Sequence, residues 1–199
     1  MDMPRDTLAP LSDEALLGLY ATGDREAARL LTGRLAPRAF AHALRMLGDR
    51  AEAEDVAQEA LLRLWRMAPD WRPGEAQVST WVYRVVGNLA TDRLRQRIRR
   101  RADALEDAAE PASDQPAVVQ TMIEADRMAA LQAALNQLPD RQRQAVVLRH
   151  IEGLANPQIA AIMDIGVEAV ESLTARGKRA LAALLAGRRE ELGYEDAQQ

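Results

Sequence analysis

The chain has 199 residues, 48% of them hydrophobic and 28% charged, with a formal net charge of −4; this suits one large or two small globular domains with real cores. It has no cysteine and two histidines, His42 and His150, which excludes disulfides, thiolate chemistry and a His/Cys metal cluster, so neither metal nor cofactor is expected. No run approaches the ~18 apolar residues of a membrane span, and the opening MDMPRDTLAP lacks a signal-peptide pattern, so a soluble, cytoplasmic protein without membrane insertion is expected.

Aromatic residues are only 4%, and Ala, Leu, Arg and Glu dominate, which favours helices over sheets. Ser12 is placed to cap a short helix over Asp13–Ala21, and Asp24 to cap the next. Pro37 should break or bend that second helix before it resumes through Phe40–Leu47 and ends at Gly48-Asp49. The segment Ala51–Ala68 follows as the cleanest helix of the first half. Ala53, Val56, Ala57, Ala60, Leu61, Leu64 and Trp65 share one broad face at the helical period. The opposite arc holds Asp55, Gln58, Glu59, Leu62 and Arg66. That arc is either a solvated stripe with one stray leucine, or a protein-docking stripe whose carboxylates flank an apolar anchor.

Two prolines and Gly74 make Pro69–Gln77 a loop, after which Ser79 or Thr80 should cap a helix reaching about Arg101. Its core face is Val82, Val85, Val86, Leu89 and Ala90; the face opposite carries Trp81, Arg84, Asn88, Thr91, Arg95 and Arg99. Arginine neutralises phosphate, asparagine hydrogen-bonds base edges and an indole stacks on an unpaired base, so this stripe suits nucleic acid. Trp81 by itself fits core packing equally well, and the arginines fit a helix C-terminus. Six arginines against Asp92 give Thr91–Arg101 a local charge of +5, more than a helix dipole needs. The next stretch, Ala102–Asp126, carries seven acids and no base. With Pro111 and Pro116 and no apolar period, residues 102–120 read as a flexible acidic linker.

A second helical domain is expected over 121–187, followed by an acidic tail over 188–199. Met122–Gln137 should be a helix with Ile123, Met128, Leu131, Leu135 and Leu138 as apolar positions. Asp140 should cap a helix over Arg141–His150, and Asn156, with Pro157 at the first helical position, should cap Gln158–Met163. Asp164-Ile165-Gly166 turns the chain into a long helix opening at Val167. Val170, Leu173, Gly177, Ala180, Leu181 and Leu184 form its apolar face. Glu168, Glu171, Ser172, Ala175 and Arg179 face away, with Arg176 and Lys178 at the edges. A short helix, a tight turn and a second helix with a polar, basic face make a helix-turn-helix, the unit that reads major-groove base edges. A plain helical hairpin with a charged surface is the alternative.

Over about Leu11–Leu185 these segments, in this order, resemble the extracytoplasmic-function (ECF) group of the sigma-70 family of RNA polymerase sigma factors. The residues that carry the resemblance are RMLGDRAEAEDVAQEALLRLW and STWVYRVVGNLATDRLR in the first domain, then LPDRQRQAVVLRHIEGLANPQIAAIM and VEAVESLTARGKRAL in the second. It implies an all-α chain of two small helical domains, region 2 over 11–101 and region 4 over 121–187, joined by the acidic linker. It also implies that Asp55, Gln58 and Glu59, with Leu62 and Trp65 beside them, dock on core RNA polymerase (β′ and β subunits). Trp81, Arg84, Asn88, Asp92, Arg93 and Arg95 fall on the helix that engages the −10 element, and Asp70–Ser79 on the loop that captures a flipped-out base. Glu171, Ser172, Ala175, Arg176, Lys178 and Arg179 fall on the helix that reads the −35 element. The resemblance further implies a non-enzymatic role in promoter recognition and melting, under the control of an anti-sigma factor. A sigma-like regulator that does not initiate transcription, or an anti-sigma decoy, is the alternative. The chain departs from the family's pattern at Asp164-Ile165-Gly166, where Gly, an aliphatic residue and Ser or Thr are usual, and at Thr174, where a bulky aliphatic is common.

Overall fold

The computed structural model describes residues 8–72, 74, 77–104 and 119–186, and for 101–104 and 119–125 the backbone alone. Most of the expected linker, at 105–118, and the expected tail at 188–199 lie outside the described residues, as do Pro73, Glu75 and Ala76 of the loop and the side chains of Met122 and Ile123. Among the described residues every regular element is helical: α1 (Asp13–Ala21), α2 (Arg25–Leu47), α3 (Arg50–Met67), a 3-10 turn (Ala68–Asp70), α4 (Val78–Ala104), α5 (Val119–Asn136), α6 (Asp140–Val146), a π-helical turn (Val147–Ile151), α7 (Asn156–Met163) and α8 (Val167–Ala186).

The first four helices start where side chains can satisfy their orphan N–H groups. The Ser12 hydroxyl accepts from the Ala15 N–H at 3.2 Å, and Asp24 Oδ1 from the Glu26 and Ala27 N–H groups at 2.9 and 3.0 Å. Asp49 does the same for α3 through the Glu52 N–H, at 2.9 Å. The start of α4 differs from expectation. The helix begins at Val78, ahead of Ser79 and Thr80, and the Val78 N–H donates to Glu14 Oε1 of α1 at 3.0 Å. Burial opposes ionisation of Glu14, but the Val78 N–H, its own backbone N–H and Ser12 outweigh it and hold the carboxyl below its ordinary range.

Apolar faces then converge. Leu16 and Leu17 of α1, Leu31, Leu35 and Met46 of α2, Val56 and Leu64 of α3, and Val82 and Val86 of α4 are all buried in one cluster. Pro37 neither breaks nor ends its helix, since α2 runs unbroken from Arg25 to Leu47 with Pro37 inside. A proline removes the bond to the carbonyl four residues back, here that of Gly33, and crowds it. Leu31, Leu35, Ala39 and Ala43 continue the buried stripe through the proline, so packing outweighs the lost hydrogen bond.

In the second half Leu135, Leu138, Val146 and Val147 pack with Ala180, Leu181 and Leu184, while Ala145, Leu148, Ile159, Ile162 and Val170 form a second cluster. Three local expectations shift here. Pro139 occupies the cap position of α6 and Asp140 is its first helical residue. Ala155 precedes α7, and its N–H donates to the Gln158 side chain at 3.0 Å, so Gln158 supplies the cap expected of Asn156. Met128, expected in the core, is 52% exposed.

The C-terminus of α2 joins the two halves. The last four carbonyls of a helix have no partner within it, and here each one finds a donor. Leu44 O accepts from the Gly48 N–H, Arg45 O from Gln132 Nε2, Met46 O from Arg143 Nη1 and Leu47 O from Arg97 Nη1. Gly48 sits at φ 68°, a conformation that disfavours other residues, and a Cβ there would lie 2.5 Å from Asn136 Nδ2.

His42, also on α2, is fully buried, with its ring edge-on to Tyr83 at 5.3 Å between centroids. Neither ring nitrogen has a hydrogen-bond partner among the described residues. Burial, helped by the nearby Arg45 charge, lowers the His42 pKa to about 4. The unfolded chain therefore takes up this proton near pH 6.5 and the folded one only near pH 4, so stability is full above the unfolded value and falls as pH drops between them. Folding free energy should decline by about 3 kcal/mol from pH 7.5 to pH 4 through this group. His42→Phe should flatten that part of the profile in urea unfolding at stepped pH; an equal slope in the variant would assign the effect elsewhere.

Candidate nucleic-acid interface and docking groove

The two surfaces of the first half lie on neighbouring helices. On α3, Leu62 is 41% exposed. With Ala36 and Phe40 of α2 and Ala57, Leu61 and Trp65 of its own helix it lines an apolar groove of about 450 Å³, rimmed by Arg50, Glu54 and Gln58. The Trp65 ring packs on Tyr20, centroids 4.7 Å apart, and the Arg50 guanidinium sits 5.5 Å from the Phe40 ring centroid. Leu62 is therefore one wall of a concave apolar surface, which favours the docking alternative over a stray leucine. Asp55 and Gln58 are exposed, and Glu59 pairs with Arg63 one turn on at 2.8 Å. The Arg63 guanidinium holds the Glu59 carboxyl below its ordinary range.

On α4, Trp81 is half-buried and meets Trp71 of the preceding loop edge to face, centroids 6.5 Å apart at 83°. Both indoles lean on the first-half core, so the core-packing alternative holds for part of the Trp81 ring. The Trp71 indole N–H is buried without a partner among the described residues. Arg84, Asn88, Asp92 and Arg95 are exposed and Arg93 is half-buried. Their ion pairs are long: Arg84 to Asp164 at 3.9 Å, Arg93 to Asp55 at 3.8 Å and Arg95 to Asp92 at 3.8 Å. Exposed pairs of this kind contribute ~0–1 kcal/mol and exchange readily for phosphate. Arg97 differs: half-buried, it bridges Glu52 at 3.0 Å and Asp49 at 3.9 Å besides the Leu47 carbonyl.

In the second half α7 and α8 meet across a tight turn at Asp164, whose φ 53° and ψ 54° are left-handed. Aspartate tolerates this region better than most residues. The faces of α8 separate as expected: Val170 and Gly177 are buried, while Glu171, Ser172, Ala175, Arg176, Lys178 and Arg179 are exposed. Glu171 accepts from Asn156 Nδ2 at 3.3 Å, and Arg176 Nε donates to the Ser172 carbonyl at 3.2 Å. The Thr174 hydroxyl is buried with no hydrogen-bond partner among the described residues.

Comparison with known proteins identifies what these surfaces belong to. Residues 31–100 match the model of Sigma-70 region 2, and residues 128–181 that of Sigma-70 region 4. The chain is 36% identical over 171 residues to the ECF RNA polymerase sigma factor SigE of Mycolicibacterium smegmatis, covering 83% of this chain and 65% of that one. It is 31% identical over 178 residues to the RNA polymerase sigma-H factor of Pseudomonas aeruginosa, covering 85% and 91%. With SigM of Mycobacterium tuberculosis it shares 36% over 176 residues, covering 87% and 85%. The chain belongs to the ECF group of sigma-70 family sigma factors. Among solved structures, the fold is similar to CnrH in its complex with the cytosolic domain of CnrY, at TM-score 0.64 and 24% identity, covering 88% of this chain and 97% of that one. It is likewise similar to RpoE in complex with the anti-sigma factor NepR from Bartonella quintana, at 0.63 and 23%, covering 78% and 94%.

The sigma factor's geometry brings together residues that sequence reasoning did not single out. Tyr83 of α4 is buried among second-half residues, and its hydroxyl donates to Glu152 Oε2 at 2.7 Å. Burial, then the hydrogen bond to Glu152, pushes the Tyr83 pKa well above the ordinary tyrosine range. A signal was present at Gly87: a glycine inside a helix marks a close approach, and a Cβ there would lie 2.2 Å from Gln144 Nε2. Gly177 is a similar case. A Cβ on it would lie 2.6 Å from Val146 Cγ2 and 3.1 Å from the Gln142 carbonyl, so α8 rests on α6 at this point. Gly177→Val should lower unfolding free energy by about 2 kcal/mol, because overpacking pushes α8 off α6, and should weaken any duplex binding that depends on how α8 is set. Urea unfolding together with fluorescence anisotropy on a promoter duplex would register both; no change in either would remove Gly177 from the account.

Proposed function

We propose that this sigma factor docks on the β′ and β subunits of core RNA polymerase through the α3 groove, directs the enzyme to −35/−10 promoters and assists their melting. The chain divides accordingly into a region 2 domain over 11–101, the linker over 102–120, a region 4 domain over 121–187 and the tail. The observation that carries this reading is one chain holding three unlike surfaces: an apolar groove with a polar rim, an arginine, asparagine and tryptophan stripe, and a helix-turn-helix with an exposed polar face. Leu62 and Trp65 supply the apolar anchor for core polymerase, and Asp55, Gln58 and Glu59 its polar contacts. Arg84, Arg93 and Arg95 neutralise phosphate along the −10 element, Asn88 reads a base edge and Asp92 steers Arg95. Trp81, braced by Trp71, offers an indole face to a base flipped out over the Asp70–Ser79 loop, which offsets part of the few kcal/mol of unstacking. Glu171, Ser172, Ala175, Arg176, Lys178 and Arg179 read the −35 duplex, where a good bidentate contact gives about 1–3 kcal/mol of discrimination.

The sigma factor performs no chemical step; bond formation belongs to the polymerase, in the cytoplasm. Since similar folds are solved with CnrY and with the anti-sigma factor NepR, we extend control by an anti-sigma factor to this chain. The retained Arg84–Arg95 stripe disfavours a decoy, which has no use for DNA contacts. Core polymerase plus this protein should give run-off transcripts from a genomic promoter library, and silence on every promoter would reject the reading. Glu59→Arg should weaken core binding at least tenfold with helical content intact, whereas unchanged affinity would mean that the groove is not the docking site. Arg176→Ala should relax −35 selectivity with core affinity unchanged; equal loss on all promoters would indicate a phosphate contact instead.

A further inference from the structure

Every basic residue of the chain except Lys178 is an arginine. A guanidinium stays protonated at any physiological pH and is not a nucleophile, whereas a lysine amine takes an acyl group and loses its charge. A single side-chain cation is therefore open to removal by acylation, and it stands on α8. Lys178 is exposed there, one residue past Gly177, where α8 rests on α6. The π-helical turn that prolongs α6 carries Arg149 and His150, both exposed. Arg149 is held by its bond to the Leu154 carbonyl at 2.9 Å. Burial, then the charges of Lys178 and Arg149, keep the His150 pKa below its ordinary range, so the three groups lie within electrostatic reach of one another. Arg84, Arg93 and Arg95 each hold a carboxylate, but neither Lys178 nor Arg149 has one among the described residues.

This cluster has the parts of an acyl-transfer site. A histidine of ordinary pKa, about 6.5, is already mostly neutral in the cell, so the His150 imidazole has a lone pair free beside the amine. Arg149 offers donors to an anionic leaving group. We propose that Lys178 is an acylation site, taking an acyl group from a phosphate-bearing donor, either an acyl phosphate or a coenzyme A thioester, and that the lost charge loosens α8 from duplex DNA. In the transfer the neutral Lys178 Nζ attacks the acyl carbonyl carbon and an N–C bond forms. The bond from that carbon to the phosphate oxygen, or to the thioester sulfur, breaks and the leaving group departs with the electron pair. The proton released from Nζ passes to the His150 imidazole and on to water. The consequence for DNA rests on the −35 reading above; the transfer itself does not. Because the cations of α4 are all arginines, acylation would weaken the −35 end alone and leave the −10 stripe and the α3 groove as they are.

A sole lysine makes the test direct. The full-length chain would be treated with acetyl phosphate or with acetyl-coenzyme A, in native buffer and in urea, beside an added N-blocked lysine peptide as internal standard. Mass spectrometry should show Lys178 acetylated in the folded chain about tenfold faster, relative to the standard, than in urea, as a positioned general base supplies. The donor that gives this acceleration identifies the leaving group. His150→Gln, with helical circular dichroism intact, should bring the folded rate down to that of the unfolded chain. The acetylated protein should bind a −35 duplex about fivefold more weakly, with the slope of log affinity against log salt smaller by about 0.9, the value of one phosphate contact. Equal relative rates in buffer and urea with both donors, an acceleration that survives His150→Gln, or unchanged duplex affinity after acetylation overturns the proposal. Unmodified protein with no preference for a −35 duplex over a scrambled one would overturn the promoter reading instead, and the rate comparison would still decide the site.

Discussion

The whole arrangement depends on how one helix ends. The C-terminal carbonyls of α2 carry the negative end of the helix dipole and point away from their own donors. Arg143, 4% exposed, brings a guanidinium to that end, donating to Met46 O as well as to Asn136 O and Leu138 O of its own half. A buried guanidinium would be costly without partners; burial lowers its pKa, yet it stays charged, and the carbonyls it meets are the ones that need a donor. Gln132 serves Arg45 O in the same way. The two halves are thus joined by the completion of one helix cap, alongside the packing of Tyr83 in the second-half cluster and its hydrogen bond to Glu152. The cap contacts are directional, and each donor meets a carbonyl that would otherwise need water.

That dependence explains what was legible in the sequence. Caps formed by near neighbours, Ser12 and Asp24, and the faces of α3 and α8 followed from spacing, because their partners are one or two turns away. Elements set by distant partners did not. The start of α4 is fixed by Glu14, 64 residues earlier in the chain. The continuity of α2 through Pro37 is decided by the core it covers. The polar face of α8 followed from the pattern because it is exposed among the described residues. The stripe on α4 was equally visible as chemistry, but that it faces the second half depends on Tyr83 and Gly87, which periodicity alone places near a core face.

The α3 stripe and the α4 stripe meet through one ion pair. Asp55 of α3 is the partner of Arg93 of α4 at 3.8 Å. Both groups are substantially exposed, so the bond between them is weak and each is open to a better partner.

The charge balance carries the same logic. In a chain of net charge −4, the six arginines against Asp92 over residues 91–101 still gather a local charge of +5 on one helix. Within the arginine block the members are not equivalent. Arg97 is held by Glu52, Asp49 and the α2 terminus, so it stabilises the first half and contributes little free charge. Arg84, Arg93 and Arg95 hold carboxylates at 3.8–3.9 Å, the loose and weak geometry of exposed pairs. Two of those carboxylates belong to the docking stripe and to the helix-turn-helix turn.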